Sequence, residues 1–330
     1  MNTRPIREVA QELGLDLNDV IPFGRQVAKV ELSALDRPAR GAGRLILVSA
    51  ITPDRAGIGK TTVSIGLAMG LRALGRRSVA CLREPSLGPV FGRKGGGTGG
   101  GAAQVEPADA INLQLTGDIG AVQSANNLLA ALVDNALYFR TSDLDPEQVT
   151  WRRVLDMNDR ALRNVVVGLG GRKGGVIRET GFDITAASEV MAVLSLATSR
   201  EDLEDRLARM VVGRTRSGRF VTAAELNAVS SLSVLLKDAL LPNLVQTREG
   251  GAAFVHAGPF ANLAHGCSSV LATRLAQHCA DDVVTEAGFG FDLGGEKFLH
   301  IKCRLARLWP HCVVVVASLR ALKALGGAPR

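Results

Sequence analysis

Gly57-Ile58-Gly59-Lys60-Thr61-Thr62 is the segment whose residue types and spacing carry the plainest chemistry. Glycines at tight turns let backbone N–H groups converge on phosphate oxygens, and a helix starting at the loop's end adds partial positive charge. In such a loop Lys60 reaches the outer phosphates and the Thr61 hydroxyl ligates magnesium through the bound nucleotide. Gly57, Gly59, Lys60, Thr61 and Thr62 are therefore the expected nucleotide-binding residues, with ATP the expected nucleotide. The full pattern asks for glycine at position 54, where this chain has Asp54.

A second candidate lies at Arg83-Glu84, directly after an apolar run at Ser78 to Leu82. In open α/β sheets ligands gather at the carboxyl ends of strands. There Arg83 either holds an anion through its two-pronged guanidinium or pairs with Glu84. Residues 92–101 carry seven glycines in ten, which no regular element tolerates, so they read as a loop. Dense glycine beside a phosphate loop implies close backbone approach to a ligand and favours the anion reading, with Arg93 and Lys94 adding charge.

These residues need a sheet to hold them. Arg44 to Ile51 reads as a buried parallel strand, and apolar positions 63, 67, 71 and 74 give a helix over Thr61 to Leu74, closed by Gly75. Ser78 to Leu82 completes a βαβ unit. Upstream, a short helix at Ile6 to Leu13 ends at Gly14 and leads into a connecting segment to residue 40. Downstream, helices are expected at 120–140, Ser188 to Thr198, Glu201 to Val211 and Ala223 to Leu240, with strands at Val283 to Thr285 and Val313 to Val316. The expected fold class is α/β, a P-loop NTPase-like parallel sheet flanked by helices with a helical insertion. Its parts are a phosphate-loop core at 41–120, a mostly helical segment at 121–245 and a return to the sheet at 246–330.

Composition narrows the partners. The chain has 330 residues, 46% apolar and 22% charged, an ordinary globular profile. Net charge is +7, from scattered residues dominated by Arg, and aromatics are only 4%. Without a basic stripe or stacking aromatics, an anionic small substrate fits better than nucleic acid. Apolar runs such as Leu45 to Ala50 are far shorter than the ~20 residues of a membrane-spanning helix, so no membrane association is expected. The N-terminus shows no apolar leader, and five cysteines without a CxxC read as reduced thiols rather than a zinc site. A cytoplasmic location is expected.

REPSLGPVFGRKGGGTGGG at 83–101, INLQLTGD at 111–118, SANNLLAALVDN at 124–135, FVHAGPFANLAHGCSSV at 254–270 and VVTEAGFGFDLGGEKF at 283–298 resemble the formate–tetrahydrofolate ligases. The resemblance runs from about Leu15 to Gly327. It implies a P-loop enzyme in which ATP phosphorylates formate, and formyl phosphate then delivers its formyl group to N10 of tetrahydrofolate. It also implies magnesium, a monovalent cation (potassium or ammonium) and a homo-oligomer. Carried over, Lys60 and Thr61 take the phosphate and magnesium positions, Arg83 the formate and formyl-phosphate position, and Glu84 a further catalytic position. No protein nucleophile is required, because phosphoryl transfer is mainly positioning and charge neutralisation.

Departures from the family pattern cluster around the same site. Ile58 stands where a Glu is usual, Ala102 where a Tyr is usual, and Gln114, Gly120 and Ala136 where His is usual. Family chains also continue past the end of this one with aromatic residues that sandwich the pterin. The expectation is that most of the folate platform is absent, which suits a complex with a full-length or complementary subunit. A formate-activating enzyme with another acceptor and a non-catalytic ATP-binding paralogue are the alternatives.

Other residues admit two readings. His256 and His265 are either satisfied loop groups or site residues. Asp118 is a turn residue or a carboxylate behind the magnesium, and Phe289 packs in the core or lies near nucleotide or pterin. Cys267 and Cys279 read as buried small hydrophobes, and Arg206, Arg209, Arg214, Arg216 and Arg219 as a solvated face or subunit contact.

Overall fold

A computed structural model describes residues 3–39, 43–52, 57–92 and 96–327. Asp54, in the expected phosphate loop, and Arg93 and Lys94, in the glycine run, lie outside the described residues. The chain divides into two compact units, Met1–Thr116 with Leu241–Arg330, and Gly117–Leu240.

The first unit is built on a ten-stranded sheet. Its strands are β1 Val20–Phe23, β2 Val27–Val30, β3 Arg44–Ala50, β4 Ser78–Leu82, β5 Gly99–Gly100, β6 Ala103–Glu106, β7 Asn243–Thr247, β8 Ala252–Val255, β9 Asp282–Glu286 and β10 Cys312–Val316. The main order is β1-β2-β7-β8-β4-β9-β3-β10, and β6 pairs with β7 and β5. From β8 to β10 every neighbour is parallel, so five strands end on the same side. The sheet is thus large and mostly parallel in its centre, with helices on both faces.

Alternation along the parallel strands explains why their sequences are continuously apolar. Leu45, Leu47, Val79, Cys81 and Val283 pack with the helices Ile6–Leu13 and Val270–Cys279. Val48, Ala80, Leu82 and Val284 point the other way and pack with Ile65, Ala68 and Met69 of the helix Lys60–Ala73. Both faces are covered, so both residues of each alternating pair are apolar. Each fully buried Leu or Val adds about 1.5–3 kcal/mol.

Two features depart from the sequence expectation. The connecting segment after Gly14 contains the β1–β2 hairpin, with Val20 opposite Val30 and Phe23 opposite Val27. Pro22 and Lys29 interrupt its apolar pattern; Lys29 is nevertheless fully buried and donates to the carbonyl of Leu241 at 3.2 Å. The glycine run, expected to hold no regular element, contributes β5, where Gly99 pairs with Gln104 and Gly100 with Ala103. Ladder bonds use only backbone, so two glycines suffice when a partner strand is supplied.

In the second unit the helix Asp118–Phe139 starts after Gly117 (φ +89°) and stops at Arg140 (φ +55°). Helices Glu189–Leu196 and Arg200–Ala208 begin at Ser188 and Ser199, whose hydroxyls accept from the amides of Met191 and Asp202. Residues 121–245, expected to be mostly helical, also carry strands. Val211–Thr215 pairs with Phe220–Thr222 and Leu144–Val149, and Val165–Val167 with Arg178–Thr180. The helix expected over Glu201 to Val211 ends at Ala208 because Val211 already pairs as a strand. The one expected from Ala223 begins at Val229, after a turn in which Asn227 has φ +53°. Within the arginine-rich stretch, Arg206 pairs with Asp202 at 3.0 Å, Arg219 with Glu225 at 2.7 Å, and Arg214 covers the Phe220 ring.

Candidate functional site

Four segments leave the sheet on the side where its parallel strands end: the loop after β3, Arg83-Glu84 after β4, residues 256–266 after β8, and residues 287–295 after β9. Sequence-distant residues therefore meet at one edge.

Gly57 and Gly59 both have φ +80°, a conformation that favours glycine, and no other atom lies within 4 Å of where a Cβ would stand. The helix Lys60–Ala73 has Gly59 as its N-cap with no side chain capping it, so its first amides point from an uncapped end. Lys60 donates from Nζ to the carbonyl of Phe289 at 2.6 Å. Thr61 donates from Oγ1 to Oε2 of Glu286 at 2.8 Å. Glu286 is nearly buried at the last position of β9, whose register sets it opposite Val48 of β3. The β5–β6 hairpin lies against this helix: a Cβ on Gly99 would stand 2.6 Å from Ile65 Cδ1, and one on Gly100 4.0 Å from Thr62 Oγ1.

The second part of the site surrounds Arg83 and Glu84. Arg83 donates from Nη1 to the carbonyl of Pro259 at 3.4 Å, while its buried Nε has no hydrogen-bond partner among the described residues. The backbone of buried Glu84 donates to Ala257 O at 2.8 Å, and a Cβ on Gly258 would come within 2.3 Å of Glu84 O. Gly288 donates to Gly266 O at 2.9 Å, and a Cβ there would lie 3.3 Å from Arg83 Nη1 and 2.9 Å from Ala261 Cβ. Lys297 holds the same loop by donating to Ala261 O at 2.6 Å and Ala264 O at 3.0 Å. Lys60 bonds Phe289 O while the preceding residue, Gly288, lies against Arg83, so the lysine and the arginine meet positions one residue apart along this turn.

The two histidines of the 254–270 motif differ. His256 Nδ1 lies 2.7 Å from Ser269 Oγ, a satisfied pair. His265 is buried and its Nε2 has no partner among the described residues. Burial, helped by the positive charges of Lys302, Arg83 and Lys297, pulls its pKa down to about 3, so the ring is neutral near pH 7. Lys302, also buried, donates to Ser268 O at 2.7 Å and Thr273 Oγ1 at 2.8 Å, and burial lowers its pKa too. Burial pushes the Cys267 thiol up to about 11, which makes it a poor nucleophile; Cys279 is buried as well.

The remaining sequence candidates take clear places. Ile58 lies between the two left-handed glycines, and Ala102 in the turn joining β5 to β6. Gln114 itself has φ +72°. Gly120 and Ala136 lie on the helix Asp118–Phe139 of the second unit, and Asp118 is its buried first residue. Phe289 is left-handed, with φ +57°, and half-exposed rather than packed in the core. A separate cavity of about 340 Å³ opens at the amino end of β4. Its Arg72, Arg76 and Arg77 already bond Glu12, Asp282 and Asp281.

Glu286 is the residue that sequence reasoning passed over. A Glu at the end of an apolar strand next to β3 is the signal, but strand adjacency is not written in a single sequence. Among the described residues no group of three or more His, Cys, Asp or Glu could hold a metal ion. The Thr61 hydroxyl and Glu286 carboxylate form a hard oxygen pair that suits magnesium when phosphate oxygens or water complete its shell.

Fold and site define an α/β protein that presents a glycine-flanked Lys-Thr-Thr turn and a neighbouring half-buried arginine at the ends of parallel strands. The family model described as formate–tetrahydrofolate ligase matches residues 1–330. The formate–tetrahydrofolate ligase of Myxococcus xanthus (strain DK1622) is 63% identical over 329 residues, covering 99% of this chain and 60% of that protein. That of Methylobacillus flagellatus (strain ATCC 51484 / DSM 6875 / VKM B-1610 / KT) is 57% identical over 327 residues, 98% of this chain and 59% of that protein. The chain belongs to the formate–tetrahydrofolate ligase family and spans about 60% of the length of these relatives.

Proposed function

We propose that this chain supplies the formate-activating part of an ATP-dependent formate–tetrahydrofolate ligase in one-carbon metabolism, on a P-loop NTPase-like sheet. The observation that carries the reading is the adjacency of Lys60 and Arg83 through the Gly288-Phe289 turn, which sets a phosphate-binding group beside an anion-binding one.

Gly57 and Gly59 admit the phosphates to the uncapped helix end, and Lys60 exchanges the Phe289 carbonyl for an outer phosphate oxygen. Thr61 and Glu286 would hold magnesium, which when bound neutralises phosphate charge. Thr62, beside the β5–β6 hairpin, completes the nucleotide-binding turn. Arg83 receives formate through its guanidinium, whose buried Nε has no partner among the described residues, and fixes the carboxylate toward the terminal phosphorus. A formate oxygen forms the new bond to phosphorus as the bond to the ADP oxygen breaks, giving formyl phosphate. Glu84, the buried residue that follows Arg83 in the chain, is the further catalytic residue of this proposal. Tetrahydrofolate then attacks the formyl carbon through N10 and releases phosphate.

A monovalent cation, potassium or ammonium, belongs to this proposal on family grounds. So does contact with another copy or a complementary subunit, which the exposed Val313 and Val315 of edge strand β10 and exposed Leu319 and Leu322 support. A cytoplasmic site of action accords with five free cysteines. No helix among the described residues is long and apolar enough to cross a membrane. Ala102 and Gln114, which replace larger or titratable residues of the family pattern, favour a second reading with another acceptor or with nucleotide binding alone.

The test is formate-dependent ADP release by the purified chain with magnesium and potassium, with hydroxylamine to trap acyl phosphate, with and without tetrahydrofolate. Formate-dependent ADP and hydroxamate support activation, and stimulation by tetrahydrofolate supports the full ligase. ATP binding without formate dependence overturns both.

A further inference from the structure

Two buried nitrogens at the site, Arg83 Nε and His265 Nε2, have no partner among the described residues. Burial of a polar atom without a hydrogen bond is costly, so such atoms in a folded protein call for an explanation. His256 on the same motif shows how this fold satisfies a histidine that has only a structural task, by the 2.7 Å contact with Ser269. His265 has no such contact at Nε2, although the backbone around it is tightly held. Its carbonyl accepts from Cys267 Sγ at 3.1 Å, Gly266 O accepts from Gly288 N, and Ala264 O accepts from Lys297. The ring is thus carried on a fixed loop with one nitrogen left open.

We propose that His265 is a substrate-contacting residue: its Nε2 hydrogen-bonds an oxygen of the small carboxylate that Arg83 holds, and with Gly288 and Ala261 restricts that acid to one carbon. This inference rests on the proposed function above and assigns a further residue to its formate site. The groups around the ring fit the role. Arg83, Lys297 and Lys302 all place positive charge close to His265, so the imidazole stays neutral and its N–H is donated to an anion rather than neutralised by one. The backbone of Gly288 closes the Arg83 side, where even a Cβ would lie 2.9 Å from Ala261 Cβ. A formate hydrogen needs less room than that carbon, and the methyl group of acetate needs as much. Lys302 is spent on Ser268 and Thr273, and Lys297 on two carbonyls, which leaves the imidazole and the guanidinium to meet the ligand.

The experiment uses the chain labelled with ¹⁵N in its histidine rings and saturated with a non-hydrolysable ATP analogue and magnesium. Formate and, separately, acetate are titrated while ring-nitrogen resonances and calorimetric binding are followed, with His265→Gln identifying the His265 signals. Formate is expected to move the His265 Nε2 resonance and leave His256 in place, and acetate to move neither. His265→Leu is expected to weaken formate binding about tenfold or more without changing the affinity for the ATP analogue, and His265→Gln to recover part of the loss. Formate binding by the unmodified chain with a stationary His265 signal overturns this inference and leaves the proposed function standing. That signal is read in the unmodified chain, so the decision stands even where the leucine variant fails to fold. Binding of the ATP analogue with no formate binding overturns the inference and the proposed function together.

Discussion

The hydroxyl of Thr61 and the carboxylate of Glu286 meet at 2.8 Å, joining the first turn of the helix after β3 to the last residue of its neighbour β9. These residues are 225 positions apart in the chain. Glu286→Gln keeps the shape but removes the charge that suits a divalent cation. The variant is expected to bind ATP about tenfold or more weakly in magnesium, with little change in EDTA. Equal losses in both media would show that Glu286 only positions Thr61.

Lys60 and Arg83 serve different anions in the proposed reaction, so their variants separate. Lys60→Met is expected to lower formate-dependent ADP release at least 100-fold, because the phosphates lose a charge that acts during transfer. Arg83→Lys keeps the charge but loses the fork. It is expected to raise the KM for formate more than tenfold while ATP affinity stays within about twofold. Steady-state kinetics with each substrate varied in turn check both, and an equal rise in the two KM values for Arg83→Lys would refute the division.

The central strands were legible because burial on both faces writes an uninterrupted apolar run, as in Leu45-Ile46-Leu47-Val48 and Val79-Ala80-Cys81-Leu82. The helix after the loop was legible from its spacing, shifted by one residue. The β1–β2 hairpin was not, because Lys29 reaches the Leu241 carbonyl through a contact more than 200 residues away. Gly99 and Gly100 form a strand only because β6 offers them a partner, and composition cannot announce that. At the site, the local motif displayed Lys60 and Thr61, whereas Glu286 and the contrast between His256 and His265 depend on which loops the sheet brings together.

Gly288 and Gly258 hold the loops around Arg83 by lacking side chains. Gly288→Ala adds a carbon 2.9 Å from Ala261 Cβ and 3.3 Å from Arg83 Nη1, so formate use should fall at least tenfold while ATP binding is retained. Gly258→Ala places its carbon 2.3 Å from Glu84 O, a backbone atom that cannot swing aside. It should cost about 1–3 kcal/mol of stability as well as activity. Urea unfolding and ATP-analogue binding on the two variants distinguish the effects, and a destabilised Gly288→Ala with normal formate kinetics would count against the tight pocket.

The buried neutral His265 makes stability depend on pH in a defined direction. Its pKa is about 3 in the folded chain, against about 6.5 for an unperturbed histidine, so the unfolded chain binds more protons between those values. Stability is therefore lost as pH falls below about 6.5, at up to about 1.4 kcal/mol per pH unit from this group, and the loss levels off below about pH 3. Between pH 7 and pH 5 the contribution is about 2 kcal/mol. His265→Gln cannot take up the proton, so its stability relative to the unmodified chain should rise by about that amount over the same interval. Acidic groups and the buried Lys302 titrate alike in both proteins and cancel in the difference. Urea midpoints for both proteins at pH 7, 6 and 5 give the comparison, and parallel declines would mean that His265 is not held neutral by its surroundings.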